Sequence, residues 1–305
     1  MTARNQSVEL LRIAACLGIV AFHEKAPGWA VCYAGLTVFL ILTAYFEATA
    51  RRPTGVQARA RQLLWPWVIA TVAYGALNVL RHKPILPERN VLLGLAYGTS
   101  PHLWFLPFAF IALLVIGYLK RWPLVLLWAG LGLLALMLWL VTAYGGQVLT
   151  PPAGQYLQAA APICLGVVLA FCALRPKAAW LAGGVVAAVA LAVGVPHQGI
   201  AYGLGLASVV VALLYPTPWD VTPISRHMYG VYLVHPAALS VVHLAHLKGW
   251  PAAIAAFVLS LIAVLAAWFI ATKLGRTDAT RASPGRVGHA AEQNDEQATA
   301  PAPGS

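Results

Sequence analysis

Apolar runs long enough to cross a bilayer recur along almost the whole chain, separated by short polar breaks. A spanning helix needs about 20 residues, with roughly 17–25 tolerated. The pattern predicts spans near 7–23, 28–47, 62–80, 103–119, 123–143, 156–174, 178–195, 199–215, 224–247 and 250–272. The expected fold is therefore all-α, a polytopic membrane protein of about ten transmembrane helices. The first run has Glu9 and Arg12 inside it and no small-residue cleavage site before a soluble region, which argues against a removable signal peptide. After Lys273 the apolar pattern ends in a stretch rich in Ala, Pro, Gly, Ser, Gln and Glu. Residues 1–275 are expected to form the membrane domain and 276–305 a disordered cytoplasmic tail, because such a composition buries too little apolar surface to order itself.

Charge sharpens this picture. Only 10% of residues are charged, against about 25% in a soluble domain, and 60% are apolar. A soluble enzyme, a disordered chain and a disulfide scaffold are excluded on that ground. The net charge of +11 is uneven. Residues 278–305 carry Arg281 and Arg286 against Asp278, Glu292, Asp295 and Glu296, so the tail is negative and the rest more positive still. With a cytoplasmic N-terminus, the inner side holds Arg4, Arg51, Arg52, Arg59, Arg61, Lys120, Arg121, Arg175, Lys177, Arg226, Lys273, Arg276, Arg281 and Arg286. The outer loops hold only Lys25, Arg81, Lys83, Arg89 and Lys248. This bias fits the positive-inside rule, places both termini in the cytoplasm and makes lipid, not nucleic acid, the expected surroundings. Cys16, Cys32, Cys164 and Cys172 lie in apolar spans without a Cys-x-x-Cys pair and read as packing residues, not as metal or redox ligands.

Polar residues inside apolar spans are costly, which makes them the candidates for function. Arg12 lies within the first span, three residues after Glu9 and on the same helix face. Two readings stand for it: a partnered site residue, or a side chain that snorkels to the cytoplasmic interface. His23 follows eleven residues later, close to three whole turns, so both side chains share a face about 16 Å apart along the axis. A cation near one membrane surface and an imidazole near the other suit a long anionic donor delivered outward. Dehydration would favour the neutral imidazole that a general base requires. The alternative is an interfacial histidine at a helix end. His102, after Ser100 and Pro101, is expected in the first turn of a helix on the same side as His23. Trp104 beside it reads equally as an interface anchor. His235 lies mid-span before Pro236, which removes a backbone donor and frees the Tyr232 carbonyl. Tyr229, Tyr232 and His235 recur every third residue, as substrate-cavity candidates or as a network locking helices together. Glu47 is expected to pair with the basic loop. His243 and His246 have no third ligand nearby in sequence, and no metal site is expected.

Five segments together resemble the membrane acyltransferase 3 family. "LLRIAACLGIVAFH" resembles its opening motif, an Arg, ten residues, then His. "YAGLTVFLILTAYF", "RARQLLWPW", "HLWFLP" and "ISRHMYGVYLVHPA" follow in the family's order, over the chain to about residue 275. The resemblance implies a ten-helix enzyme that moves an acyl group, usually acetyl from acetyl-CoA, to a hydroxyl of a glycan or similar acceptor, often extracytoplasmic. His23 resembles the family's essential histidine and Arg12 its partnered arginine. Two departures are visible. Thr43-Ala44-Tyr45 stands where the family has Ser-Gly-aromatic, and Gln62 follows Arg59 where a second arginine is usual, leaving Arg59 and Arg61 as candidates for the donor's phosphates.

The leading expectation is an integral membrane O-acyltransferase of a bacterial inner membrane, with acetyl-CoA as a donor substrate, no permanently bound cofactor and His23, Arg12 and Glu9 at the reaction. A transporter or flippase for a glycan or lipid-linked substrate is the rival, since intramembrane charges also suit it, although no inverted repeat of broken helices is visible. A catalytically inactive scaffold fits less well with both Arg12 and His23 present.

Overall fold

The structure, a computed structural model, describes residues 5–52, 54–86, 91–144, 153–174 and 196–281. Every element among them is a helix: α1 (Gln6–His23), α2 (Trp29–Cys32), α3 (Ala34–Thr49), α4 (Val56–Leu80), α5 (Val91–Tyr97), α6 (Phe105–Leu119), α7 (Pro123–Tyr144), α8 (Ala153–Leu174), α9 (Pro196–Leu214), α10 (Thr222–Ser225), α11 (Met228–Leu244) and α12 (Gly249–Arg281). Gln6–His23, Trp29–Thr49, Val56–Leu80, Gly154–Ala173 and Gly249–Lys273 are long and apolar enough to cross a membrane; Phe105–Leu119, Pro123–Leu134, Ile200–Leu214 and Met228–Leu244 are shorter apolar helices. The expected span at 178–195 lies outside the described residues, as does 282–305 of the expected tail, whereas 276–281, expected as disordered tail, continue α12 as helix. By contacts the chain divides into units at 1–261 and 262–305, and the site described below lies within the first.

α3 is the hub of that unit, packed against α8, α1, α9 and α6. Lipid tails give helices no hydrophobic reason to associate, so close approach depends on small residues. Gly35 is such a residue: a Cβ there would stand 2.2 Å from the Ala15 carbonyl oxygen of α1. On the opposite side, a Cβ at Gly166 of α8 would meet the Ile41 carbonyl at 2.4 Å and the Ala44 methyl at 2.7 Å. Ala44, one of the two departures from the family motif, is thus accommodated by a glycine on the facing helix. Gly35→Ala is expected to separate α1 from α3 and destabilise the fold by about 3 kcal/mol, the upper end for overpacking. The thermal midpoint and monodisperse yield in detergent measure this; wild-type values for both would show the contact to be slack.

α1 is fixed at both ends. The Asn5 side chain caps it, accepting from the Ser7 and Val8 amides at 3.0 and 3.3 Å, and donates to the Ala212 carbonyl of α9 at 3.0 Å. Gln6 bonds to Thr222 and to the Val221 amide at the start of α10. At the other end, Glu24 accepts from His243 Nε2 at 2.6 Å and from the Gly249 amide at 3.0 Å. His243 therefore serves this clasp. α1 and α11 lie side by side in register: Cys16 Sγ donates to the Met228 carbonyl, Ile19 packs with Tyr232, and His23 stacks near His235.

Candidate active site

Two polar centres sit at opposite ends of α1. At the N-terminal end Arg12 donates to Glu9 Oε1 at 2.9 Å, and Ser225 of α10 donates to Glu9 Oε2. The Arg12 guanidinium lies 5.6 Å over the Phe46 ring. It is one-third exposed and borders a cavity of about 420 Å³ that Thr43, Phe46, Glu47, Arg59, Gln62 and Leu63 also line. Thr43 thus reaches the cavity from the position where the family has serine.

Arg59 is buried at 2% exposure and pairs with Glu47 Oε2 at 2.8 Å. Lys120 shares the same carboxylate at 3.2 Å and donates to the carbonyls of Glu47 and Ala50. One carboxylate therefore faces two cations. Arg59 Nε and Nη1 are buried with no partner, so a strongly anionic group in the cavity would find unused guanidinium donors. Arg61 points elsewhere: it is exposed and does not line the cavity. Pro66, inside α4, leaves the carbonyl of Gln62 without its helical donor beside the same cavity.

At the C-terminal end of α1 three imidazoles meet. His23 and His235 have ring centroids 5.1 Å apart, and His235 and His102 5.3 Å apart. Tyr74 of α4 stands edge-on to His102 at 5.2 Å and donates to the Leu233 carbonyl at 2.8 Å. Tyr232 donates to the His102 carbonyl. His102 and His235 are buried, whereas His23 is exposed. His102 and His235 are closed off, while His23, also enclosed by surrounding protein, keeps an accessible side for an incoming molecule.

A proline within α11 decides a tautomer. Pro236 frees a carbonyl on α11, and the His235 ring takes the Tyr232 carbonyl at 2.7 Å through Nδ1. A carbonyl only accepts, so Nδ1 carries the proton and Nε2 of the neutral ring is a bare acceptor. That Nε2 is buried without a partner, as is His102 Nε2. His102 Nδ1 is held by Ser100 Oγ at 3.0 Å. Its segment is pinned to α4 by Thr99, which donates to the Thr71 carbonyl, and by Asn78, which donates to the Thr99 carbonyl.

Two expectations are corrected here. His102 lies in the turn before α6, not in its first helical turn, because Leu103 N bonds back to the Ser100 carbonyl and α6 starts at Phe105. Trp104 is buried, not an exposed anchor: it packs with Phe105, Phe108 and Tyr156. Tyr229 packs beside Tyr232 on the Ile19 and Leu106 side of α11. Tyr74 carries no signal in the sequence and Ser225 only that of its motif, since each bonds to a helix distant in the chain. Among the described residues no group of three or more His, Cys, Asp or Glu side chains is arranged to hold a metal ion.

A family model described as an acyltransferase domain, that of the acyltransferase 3 family, matches residues 5–272. No curated protein matches the chain, and no solved structure does.

Proposed function

Since the chain belongs to the acyltransferase 3 family of membrane acyltransferases, we propose that it is an O-acyltransferase carrying acetyl from cytoplasmic acetyl-CoA to a hydroxyl of an extracytoplasmic glycan or similar acceptor, in a bacterial inner membrane. The observation that carries this reading is the placement of a guanidinium-lined cavity and a histidine cluster at opposite ends of one helix, about 16 Å apart along its axis. Arg59 and Arg12 receive the donor's phosphates at the cytoplasmic end. The thioester reaches the histidines, where the acceptor arrives over the exposed side of His23.

The step balances as a direct transfer. The acceptor oxygen attacks the thioester carbonyl carbon, a C–O bond forms and the C–S bond breaks. His23 takes the hydroxyl proton and returns it to the departing thiolate. The bare Nε2 of His235 accepts a hydrogen bond from a neighbouring acceptor hydroxyl, and His102 Nε2 offers a second ring nitrogen beside it. Glu9 acts one layer back, holding Arg12 toward the cavity.

Pro236→Ala tests the role given to His235. The new amide would compete for the Tyr232 carbonyl and loosen the ring that now holds it. The kcat is expected to fall several-fold with donor KM and folded yield unchanged. Unchanged kcat would show that this tautomer lock does not matter. The activity itself is tested with purified protein, labelled acetyl-CoA and a pool of glycan acceptors: acceptor-dependent CoA release with labelled ester in the acceptor is expected. Movement of acceptor across a membrane without acyl transfer would favour a transporter.

A further inference from the structure

Between the cavity and the histidines, three buried polar atoms have no hydrogen-bond partner: Trp67 Nε1, Thr71 Oγ1 and Tyr229 OH. They form a series. Leu63 lines the cavity, Trp67 follows one turn later on α4, Thr71 another turn on, and Tyr74, three residues further, stands against His102. Spacings of four, four and three keep these side chains along one helix face. Facing them, Tyr229 begins the row on α11 that passes through Tyr232 to His235, and Trp67 and Tyr229 pack on the same core group of Ile19, Leu106 and Tyr232. Buried tryptophan N–H and tyrosine O–H groups ordinarily find partners, and inside a bilayer bulk water does not supply them. Three such groups in one interval, with a cation-lined cavity below and imidazoles above, mark a path for a ligand carrying its own polar groups at intervals.

We propose that Trp67, Thr71 and Tyr229 bind the pantetheine arm of the acyl donor, satisfying its two amides on the way from the cavity to His23. The arm's chemistry matches: each secondary amide offers one N–H and one carbonyl. The indole N–H, which can only donate, takes a carbonyl, and the two hydroxyls serve either an N–H or a carbonyl. Leu63 to Tyr74 spans about 16 Å of helix, the same rise as from Arg12 to His23. The assignment rests on the donor reading above.

The test separates the two. Wild-type protein is titrated with CoA, which has the arm, and with adenosine 3′,5′-bisphosphate, which carries the phosphates without it. Wild type is expected to bind both, CoA more tightly. Tyr229→Phe and Thr71→Val, each removing one polar atom with little change of shape, are expected to weaken CoA about three- to tenfold, the range for single neutral hydrogen bonds. Their affinity for the bisphosphate and their unfolding midpoints stay at wild-type values. CoA binding unchanged in both variants overturns the arm assignment and leaves the donor reading standing. Equal weakening of both ligands overturns it too, showing that the groups hold the helices together. A wild type that binds neither ligand removes the donor reading and this assignment with it.

Discussion

Replacing His23 with alanine is expected to lower the acyl-transfer rate by at least ~100-fold, the lower end for a positioned general base. Its place is set by features independent of the reaction. α1 is capped by Asn5 at one end and clasped through Glu24 by His243 and the Gly249 amide at the other. Close packing of Gly35 on Ala15 fixes its height against α3. His23 keeps an accessible side at the end of α1, so its removal is expected to leave the helix in place. The expected signature is a collapse of kcat with CoA affinity and thermal midpoint retained. Near wild-type turnover would remove His23 from the chemistry. A parallel loss of CoA binding would assign it to the donor.

Arg59→Gln is expected to act at the other end, raising the donor KM by about 10- to 100-fold, as loss of charge-assisted bonds to a phosphate would. The effect has a structural complication that can be isolated. Glu47 is buried and shared between Arg59 and Lys120. Removing one cation leaves the carboxylate with a single partner, and breaking a buried pair is destabilising. The double variant Arg59→Gln with Glu47→Gln removes the buried carboxylate beside Lys120. It is expected to regain stability while donor KM stays high. If donor KM recovers with stability, Arg59 is a structural cation only. Arg61→Gln is expected to change donor KM far less, since that side chain is exposed and outside the cavity lining.

Much of this architecture is legible in the amino-acid sequence. Apolar runs announced the helices because a bilayer demands length and internally satisfied backbone. The eleven-residue interval from Arg12 to His23 placed them on one face because helical periodicity is fixed. Pro236 announced a free carbonyl on α11, though not that the His235 ring would take it. What the sequence concealed was pairing between helices. Glu47 was expected at an interface with the basic loop, but its sharing between Arg59 and Lys120 depends on how α3, α4 and the end of α6 meet. His102 and His235 are 133 positions apart in the chain and meet only after folding. Trp104 beside an expected membrane surface looked like an anchor, and tertiary packing with Tyr156 buried it instead. Trp67 and Thr71 carry no charge and vanish in an apolar helix. Only their unpartnered buried atoms distinguish them. The spacing from Arg59 through Leu63, Trp67 and Thr71 to Tyr74 was the available signal, a stripe at intervals of three and four.

The central claim is that donor and acceptor meet from opposite sides of the membrane, with Arg59 and Arg12 facing one side and His23 the other. Protein reconstituted in one orientation into sealed vesicles tests it. Labelled acetyl-CoA is supplied on the side of the Arg59 cavity and a membrane-impermeant glycan acceptor on the side of His23. Labelled ester is expected in the acceptor, with CoA released on the donor's side and no ester when the two compartments are exchanged. Ester formed only when donor and acceptor share a compartment would contradict the account.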